Sequence, residues 1–195
     1  DLRREQSTRW MRQQLEKRDF EGGVDITRVA LSDGTLLDHV INGTMMRIDL
    51  PAVLTAGASI RFEIDWNSVI VPSSTMRARS GYEWFDEDDN AIYEIAQWFP
   101  RMAPYTDGDG WQNKQFQGES EFALEFGDYD LAITVPETFV VAASGELLNQ
   151  DEVLTDVQRA RLEEARTADR PMFVITPEEA QANEDRDHEI QSAGD

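Results

Sequence analysis

Apolar side chains recur with two different periods along the chain. Near the start, Trp10, Met11 and Leu15 recur at almost helical spacing in a segment rich in Arg, Gln and Glu. After the Gly pair at positions 22 and 23 the period changes to two, as in VDITRVAL (24–31), which runs into the turn sequence SDGT. We therefore predict an N-terminal amphipathic helix over residues 1–20, followed by an antiparallel β-domain.

Two further segments before residue 67 show strand-like alternation. MMRIDLP (45–51) is short and bounded by Pro, and SIRFEIDW (59–66) places apolar residues at every second position. In the latter, Arg61, Glu63 and Asp65 separate the apolar positions, which is typical of a half-buried antiparallel strand.

Residues 67–120 carry few regular signals, and we predict them to be mostly irregular. Alternation returns in three segments, SEFALEF (120–126), DLAITVP (130–136) and TFVVAASGEL (138–147). About eight short strands separated by turn residues are typical of a β-sandwich, which we place over residues 21–149.

The character of the sequence changes again at residue 150. Thr155 and Gln158 form a capping box ahead of a charged helix. The apolar segment PMFVIT (171–176) is predicted to form a short strand. Thr176 then begins a second capped helix with Pro177 at its first position. We predict a helix–strand–helix appendage over residues 150–183 and a polar, disordered tail over residues 184–195.

Charge and composition exclude several classes of partner. The formal net charge is −21, from 39 acidic and 18 basic residues, so the chain repels nucleic-acid phosphate and anionic lipid. No run of 18 apolar residues is present, and we predict no membrane span. The absence of cysteine excludes disulfides and thiolate metal sites. The chain starts at Asp1 without a signal-like apolar core, so we interpret it as a mature form or an excised piece.

Metal motifs fail at specific positions. A zinc protease needs HExxH on a helix, whereas the segment that starts at His188 has Ser192 in place of the second histidine. The other histidine, His39, lies in a strand-like segment, and we interpret it as a surface or half-buried side chain. The acidic runs at 86–90 and 107–110 lack the Gly and Glu that an EF-hand loop requires. We predict no metal site in this chain.

Catalytic motifs are also missing from the sequence. It has no GxSxG, no phosphate-binding loop and no GxGxxG, and with 39 carboxylates some acidic pairs are inevitable. What stands out instead is a dense set of aromatic residues between positions 82 and 116. These are Tyr82, Trp84, Phe85, Tyr93, Trp98, Phe99, Tyr105, Trp111 and Phe116.

The aromatic set has two interpretations. It fills a core, since aromatic side chains bury large areas, or it forms an exposed wall that contacts a ligand or another domain. Within it, Gln97 and Arg101 lie among apolar neighbours, which favours the second interpretation because a buried amide needs a partner. Ile92 and Ile95 are predicted to form the buried side of the preceding strand.

The order of these segments resembles the N-terminal domain of the aminopeptidase N family of zinc metallopeptidases (gluzincins), in a bacterial branch. The resemblance spans residues 24–148 and rests on YEIAQWFPRMAPYTD, on AITVP (132–136) and on VAASG (141–145). It implies a saddle-like β-sandwich packed against a thermolysin-like catalytic domain of the same polypeptide. That second domain would carry HExxH and the zinc ion, and no cofactor is expected in this chain. Members of this branch are often exported, which favours a periplasmic or extracellular location.

The resemblance also implies roles for individual residues. In the family, a Gln at the end of this strand and the residue two positions later reach the cleft and hold the substrate's N-terminus. By position these are Gln97 and Phe99, with Trp98, Arg101 and Trp111 as support or domain-seam residues. Phe99 departs from the usual Glu or Gln, and an aromatic ring offers a cation–π face or an apolar wall instead of an ion pair. The alternative is a stand-alone β-sandwich module that binds a ligand or partner through its aromatic rings.

Overall fold

The computed structural model of the protein describes residues 21–75, 79–87, 89–115, 124–136 and 139–182, together with Thr8 and Arg12. The chain divides into two compact units, Asp1–Gly127 and Asp128–Asp195. The predicted helix over residues 1–20, apart from two isolated positions, and the predicted tail over residues 184–195 lie outside the described residues.

Short antiparallel strands build the first unit. They are β1 (Val24–Leu31), β2 (His39–Asn42), β3 (Met45–Ile48), β4 (Phe62–Ser68), β5 (Gly81–Phe85), β6 (Asn90–Glu94), β7 (Tyr105–Thr106) and β8 (Gly110–Trp111). Each strand pairs with one other to give four two-stranded sheets, β1 with β4, β2 with β3, β5 with β6 and β7 with β8. The prediction of a mainly β, antiparallel fold is confirmed, but the described strands do not form a clear sandwich, because each sheet ends after two strands.

Three buried apolar residues of the first unit lie on or beside β1. Val29 and Ala30 are almost fully buried and Leu37 is buried next to them, whereas buried Val71 lies beside β5, where its carbonyl accepts from the Tyr82 N–H. The Leu37 N–H donates to the Val29 carbonyl over 2.9 Å, which places the segment after the turn beside β1. On the partner strand β4, apolar positions are half-buried and the charged positions between them are exposed. The predicted half-buried strand is therefore confirmed, with its start moved from residue 59 to Phe62.

The turn that follows β1 forms as the sequence predicts. The Thr35 N–H donates to the Asp33 Oδ1 over 2.9 Å, and this hydrogen bond lowers the pKa of the Asp33 carboxyl. Gly34 has a φ of 89°, a left-handed conformation that a glycine adopts without steric cost. After the turn, Leu36 bridges to Ala30, and β2 then starts at His39.

Most of the described residues between 67 and 120 lie outside strands, as predicted, but the sequence analysis missed the short strands among them. Two hairpins lie there, one formed by β5 and β6 and one by β7 and β8. In the first, Tyr82 lies opposite Tyr93 and Trp84 lies opposite Ala91. The acidic run between the two strands interrupts the apolar alternation, so a window that covers both strands shows no clear period.

Three predicted strands do not form in the described residues. Positions 124–136 and 139–149 contain no strand, and neither does the segment 171–176. The first of them has the expected alternation, with Leu131, Ile133 and Val135 all at least 40% exposed. Alternation is a local pattern, whereas a strand also needs a neighbour whose backbone accepts and donates its hydrogen bonds, and no described segment provides one here.

Three short helices lie in the second unit, and two of them begin where capping residues predict them. They are α1 (Gln150–Val153), α2 (Asp156–Ala165) and α3 (Pro177–Gln181). Thr155 caps α2 and Thr176 caps α3, each in a reciprocal capping box, and Pro177 occupies the first turn of α3. The predicted short C-terminal helices are confirmed. No helix in the described ranges is long and apolar enough to cross a membrane.

An ion pair joins α2 to the start of α3. The Arg161 guanidinium donates to Glu179 Oε2 over 2.6 Å and to the Val174 carbonyl over 3.0 Å. The same carboxylate accepts from the Thr176 N–H over 2.8 Å. The hydrogen bond from Arg161 and then that from Thr176 lower the pKa of Glu179 from 4.5 to about 2. Both side chains are only about a quarter exposed, so a single carboxylate connects two helices and a loop.

The low pKa of Glu179 predicts a specific loss of stability in acid. The folded state stabilises the charged form of the Glu179 carboxyl. The contribution of Glu179 to stability is therefore complete above pH 4.5 and is lost as the pH falls toward 2. The measurement is the free energy of unfolding of the wild type and of Glu179→Gln between pH 7 and pH 2. We expect the difference between the two proteins to shrink through this window. A carboxyl NMR titration that places the pKa of Glu179 near 4.5 would contradict the prediction.

Candidate functional site

The predicted site residues follow directly after the β5–β6 hairpin, which positions the start of their segment. The Tyr82 and Tyr93 rings stack across it with centroids 5.5 Å apart. Just past β6, the Ala96 N–H donates to Ser80 Oγ over 2.7 Å, and the Ser80 hydroxyl donates to the Ala96 carbonyl over 2.5 Å. This reciprocal pair holds the start of residues 95–101, which we call the Gln97 loop, beside the hairpin.

Gln97 has an unusual backbone conformation. Its φ is 54°, and Asp89 is the other non-glycine residue with a positive φ among the described ones. For a residue with a Cβ, a sparsely populated conformation of this kind costs on the order of 1 kcal/mol or more. The side chain is exposed and makes no hydrogen bond with the residues that the structure describes. Gln97 is therefore strained, and its side-chain amide has no hydrogen-bond partner among the described residues.

Three aromatic rings connect the Gln97 loop to β4. The Trp66 and Trp98 centroids lie 6.0 Å apart, and Trp98 meets Phe99 edge-on at 5.0 Å. We call Trp66, Trp98 and Phe99 the aromatic stack. Tilted and edge-on ring pairs each stabilise a fold by about 0.5–1.5 kcal/mol beyond the area they bury. The stack thus braces the residues on the C-terminal side of Gln97.

Arg101 lies at the end of the aromatic stack. Its guanidinium carbon is 5.6 Å from the centroid of the Phe99 ring, a cation–π distance. One of its terminal nitrogens also donates to the Glu125 carbonyl over 3.0 Å. The cation–π surface that the resemblance assigns to a substrate ammonium at Phe99 is therefore already in contact with Arg101. An apolar wall is the role that the remaining surface of Phe99 favours.

The structure brings four of the five predicted site residues together and places the fifth elsewhere. Gln97, Trp98, Phe99 and Arg101 share the loop and the stack, whereas Trp111 lies on β8 against Tyr105, with centroids 5.4 Å apart. Trp98 is 37% exposed and Trp111 is 56% exposed. Trp98 and Arg101 thus make contacts within the stack, Trp111 belongs to a separate aromatic pair, and the support roles of all three stay predictions.

The prediction for Ile92 and Ile95 is wrong. They are 57% and 52% exposed, and neighbouring Tyr93 is 44% exposed. Paired positions on the two strands of a hairpin share a face, and two strands alone cannot cover both faces of their own sheet. The apolar side chains of β6 therefore reach solvent on both sides of the hairpin.

The described residues do not fit a zinc site. They contain no group of three or more His, Asp or Glu side chains that could hold a metal ion. His39 contacts the Leu37 carbonyl through Nδ1 at 3.2 Å, and His188 lies outside the described residues. The chemistry available around Gln97 is hydrogen bonding by an amide beside an apolar wall. An amide and an apolar wall are groups suited to binding and orienting a ligand, and neither of them transfers a proton or activates water.

Sequence reasoning missed two residues that shape this site. The sequence places Trp66 only on the apolar side of its strand and gives no signal at Ser80, yet Ser80 holds the start of the Gln97 loop and Trp66 packs against Trp98 in its middle. Strand alternation placed Trp66 among the partly buried positions, but no local pattern pairs it with Trp98, which follows 32 positions later. No protein-family model matches the chain, and no curated protein or solved structure does so either.

Proposed function

We propose that this chain is a non-catalytic β-domain of a zinc metallo-aminopeptidase of the aminopeptidase N family. It covers one side of the active-site cleft and helps to anchor the N-terminus of the peptide substrate. The single observation that carries the proposal is Gln97, an exposed amide held at a φ of 54° with no hydrogen bond among the described residues. Strained, unpartnered polar residues concentrate at binding sites, because a ligand supplies the missing contact.

The substrate chemistry follows from the residues around Gln97. A peptide's free α-amino group donates hydrogen bonds, and the Gln97 side-chain oxygen accepts them. Phe99, two positions later, supplies an apolar wall for the first side chain of the substrate, with Arg101 and Trp98 behind it. Zinc, the water that it activates and the general base belong to the proposed catalytic domain, and the described residues contribute none of them.

The exposed apolar side chains support a domain that packs against another one. Val40 and Ile41 on β2 are more than half exposed, as are Trp84 on β5 and Ile92 on β6. Exposed apolar side chains mark interaction surfaces in soluble proteins when they group into a patch. A catalytic domain of the same polypeptide is the partner that we propose for them. The saddle-like sandwich of the family is the architecture that the four sheets would then share.

A stand-alone β-sandwich module that binds a ligand or partner is the second candidate. The observation in its favour is the exposed Tyr105–Trp111 pair, which lies apart from the Gln97 loop. The reading frame of the gene distinguishes the two candidates. A frame that continues past Asp195 into a helix with HExxH supports the peptidase domain, and a stop codon at that point contradicts it.

The proposal also predicts that the chain alone is inactive. We expect the 195-residue protein to hydrolyse no aminoacyl p-nitroanilide, with or without added Zn²⁺, because its described residues hold no metal site. The measurement is release of p-nitroaniline, with the complete polypeptide as the positive control. Hydrolysis by the chain that a chelator abolishes would show a catalytic site within it and would overturn the assignment.

A further inference from the structure

Two aromatic rings form an exposed corner on the small β7–β8 hairpin. Tyr105 and Trp111 lie opposite each other in register, with their centroids 5.4 Å apart and their planes at 77°. They are 58% and 56% exposed. Two rings at nearly a right angle present a π-face on each wall of a corner, and we call this pair the aromatic corner.

Backbone and side-chain hydrogen bonds hold the aromatic corner in place. The Gln112 N–H donates to the Pro104 carbonyl over 2.9 Å at the open end of the hairpin. At the turn, Thr106 Oγ1 accepts from the Asp109 N–H and from Gln112 Nε2, each over 3.3 Å. A ligand that binds such a fixed pair loses little affinity to the ordering of loose loops.

The turn between the two rings carries unbalanced negative charge. Asp107 and Asp109 are exposed, and neither forms an ion pair with any residue that the structure describes. Within the same part of the chain, no arginine or lysine lies over the Tyr105 or Trp111 ring, whereas Arg101 already lies over Phe99. The corner thus combines π-faces and carboxylates, and both attract a cation. No arginine or lysine side chain among the described residues occupies it.

We propose that the aromatic corner binds the ammonium group of a lysine side chain on a partner protein. Charge complementarity selects this occupant, because the chain's net charge of −21 repels anions and an apolar group would leave the two carboxylates without a counter-charge. A compact ammonium contacts both walls of the corner, whereas a planar guanidinium stacks on one face. The aromatic corner is separate from the Gln97 loop, and this inference does not rest on the proposed peptidase function.

A matched pair of peptides tests the inference on the 195-residue protein. The probes are a capped Gly-Ser peptide with one central lysine and the same peptide with that lysine acetylated, titrated at 150 mM NaCl. We expect the lysine peptide to shift the indole Nε1–H resonance of Trp111 and to leave that of Trp84 unchanged. Trp111→Ala is expected to weaken binding about fivefold, the loss that one cation–π contact predicts.

Controls separate the aromatic corner from general attraction to an acidic protein. Trp84→Ala removes another exposed Trp without changing the charge, and we expect it to bind the lysine peptide like the wild type. Asp107→Asn combined with Asp109→Asn is expected to weaken binding with both rings in place. Equal binding of the acetylated peptide, or an equal loss in Trp84→Ala and Trp111→Ala, would overturn the inference. If Trp111→Ala does not fold, the wild-type Trp111 resonance decides alone, and its failure to shift also overturns it.

Discussion

Replacing Gln97 by Gly is expected to leave the fold intact and to lower kcat/KM of the proposed complete peptidase about thirtyfold. The proposed hydrogen bond from the charged substrate ammonium to the Gln97 amide oxygen contributes about 2 kcal/mol, which corresponds to that factor. The loss should appear mainly as a higher KM, because the contact holds the substrate's N-terminus in the ground state as well as in the transition state. The measurements are steady-state kinetics on aminoacyl substrates and urea unfolding of the 195-residue chain.

The expected effect of Gln97→Gly on the free energy of unfolding follows from the φ of 54° at Gln97. Glycine relieves a left-handed strain on the order of 1 kcal/mol, and its extra freedom in the unfolded chain offsets roughly 0.5–1 kcal/mol of that gain. The net change in the free energy of unfolding is therefore small for Gln97→Gly. If Gln97 served only to make the turn, Gln97→Gly would keep full activity.

Asp89 supplies a matched control on the same hairpin. It is the other described non-glycine residue with a positive φ, at 50°, and it lies in the turn between β5 and β6. Asp89→Gly should change stability as Gln97→Gly does, while its KM stays at the wild-type value. If Gln97→Gly also keeps the wild-type KM, the amide does not hold the substrate and the proposed role of Gln97 is wrong.

Local patterns predicted the elements whose partners are set by nearby residues. Strand β1, the turn at Asp33 and Gly34, and the two capping boxes of the C-terminal unit all occur where the sequence places them. Each depends on chemistry within a few residues, such as the reach of a Thr hydroxyl to an N–H three positions later. These features need no knowledge of the rest of the fold.

The features that were mispredicted depend on distant segments. Residues 130–136 alternate like a strand, yet they have no ladder among the described residues. Ile92 and Ile95 satisfy a strand pattern, but whether an apolar side chain is buried depends on what packs against its sheet. The contact between Trp66 and Trp98 joins β4 to the Gln97 loop, and no periodic pattern in the sequence indicates it. For the site, the sequence therefore identified the loop but not the residues that brace it.

Raising the NaCl concentration from 0.05 M to 1 M is expected to raise the Tm of the 195-residue protein by about 10 °C. The reason is the net charge of −21, which makes the folded state repel itself more than the expanded chain does. The Debye length shrinks from more than 10 Å to about 3 Å over this range, so salt screens that repulsion. Thermal unfolding followed by circular dichroism measures the shift.

Salt also weakens ion pairs, which lowers the Tm. The direction of the change in Tm therefore depends on whether the ion pairs or the charge repulsion contribute more. Salt weakens pairs such as Arg28 with Glu63 at 3.1 Å and Arg47 with Asp49 at 3.0 Å. Exposed pairs of this kind contribute about 0–1 kcal/mol each. Two like charges 10 Å apart in water repel by about 0.4 kcal/mol, and an excess of 21 acidic residues creates many such pairs. Relief of a few kcal/mol of repulsion corresponds to a rise of about 10 °C for a chain of this length.

Two single substitutions of Glu by Gln separate the opposing contributions. Glu87 is exposed and makes no ion pair with the described residues, so Glu87→Gln should raise the Tm at 0.05 M NaCl and reduce the response to salt. Glu63 pairs with Arg28 through a hydrogen bond that raises the pKa of the arginine, so Glu63→Gln should lower the Tm at 0.05 M NaCl. A wild-type Tm that falls between 0.05 M and 1 M NaCl would mean that the ion pairs outweigh the repulsion. In that case the acidic surface would stabilise the fold through specific partners, and the excess charge would not be its main electrostatic cost.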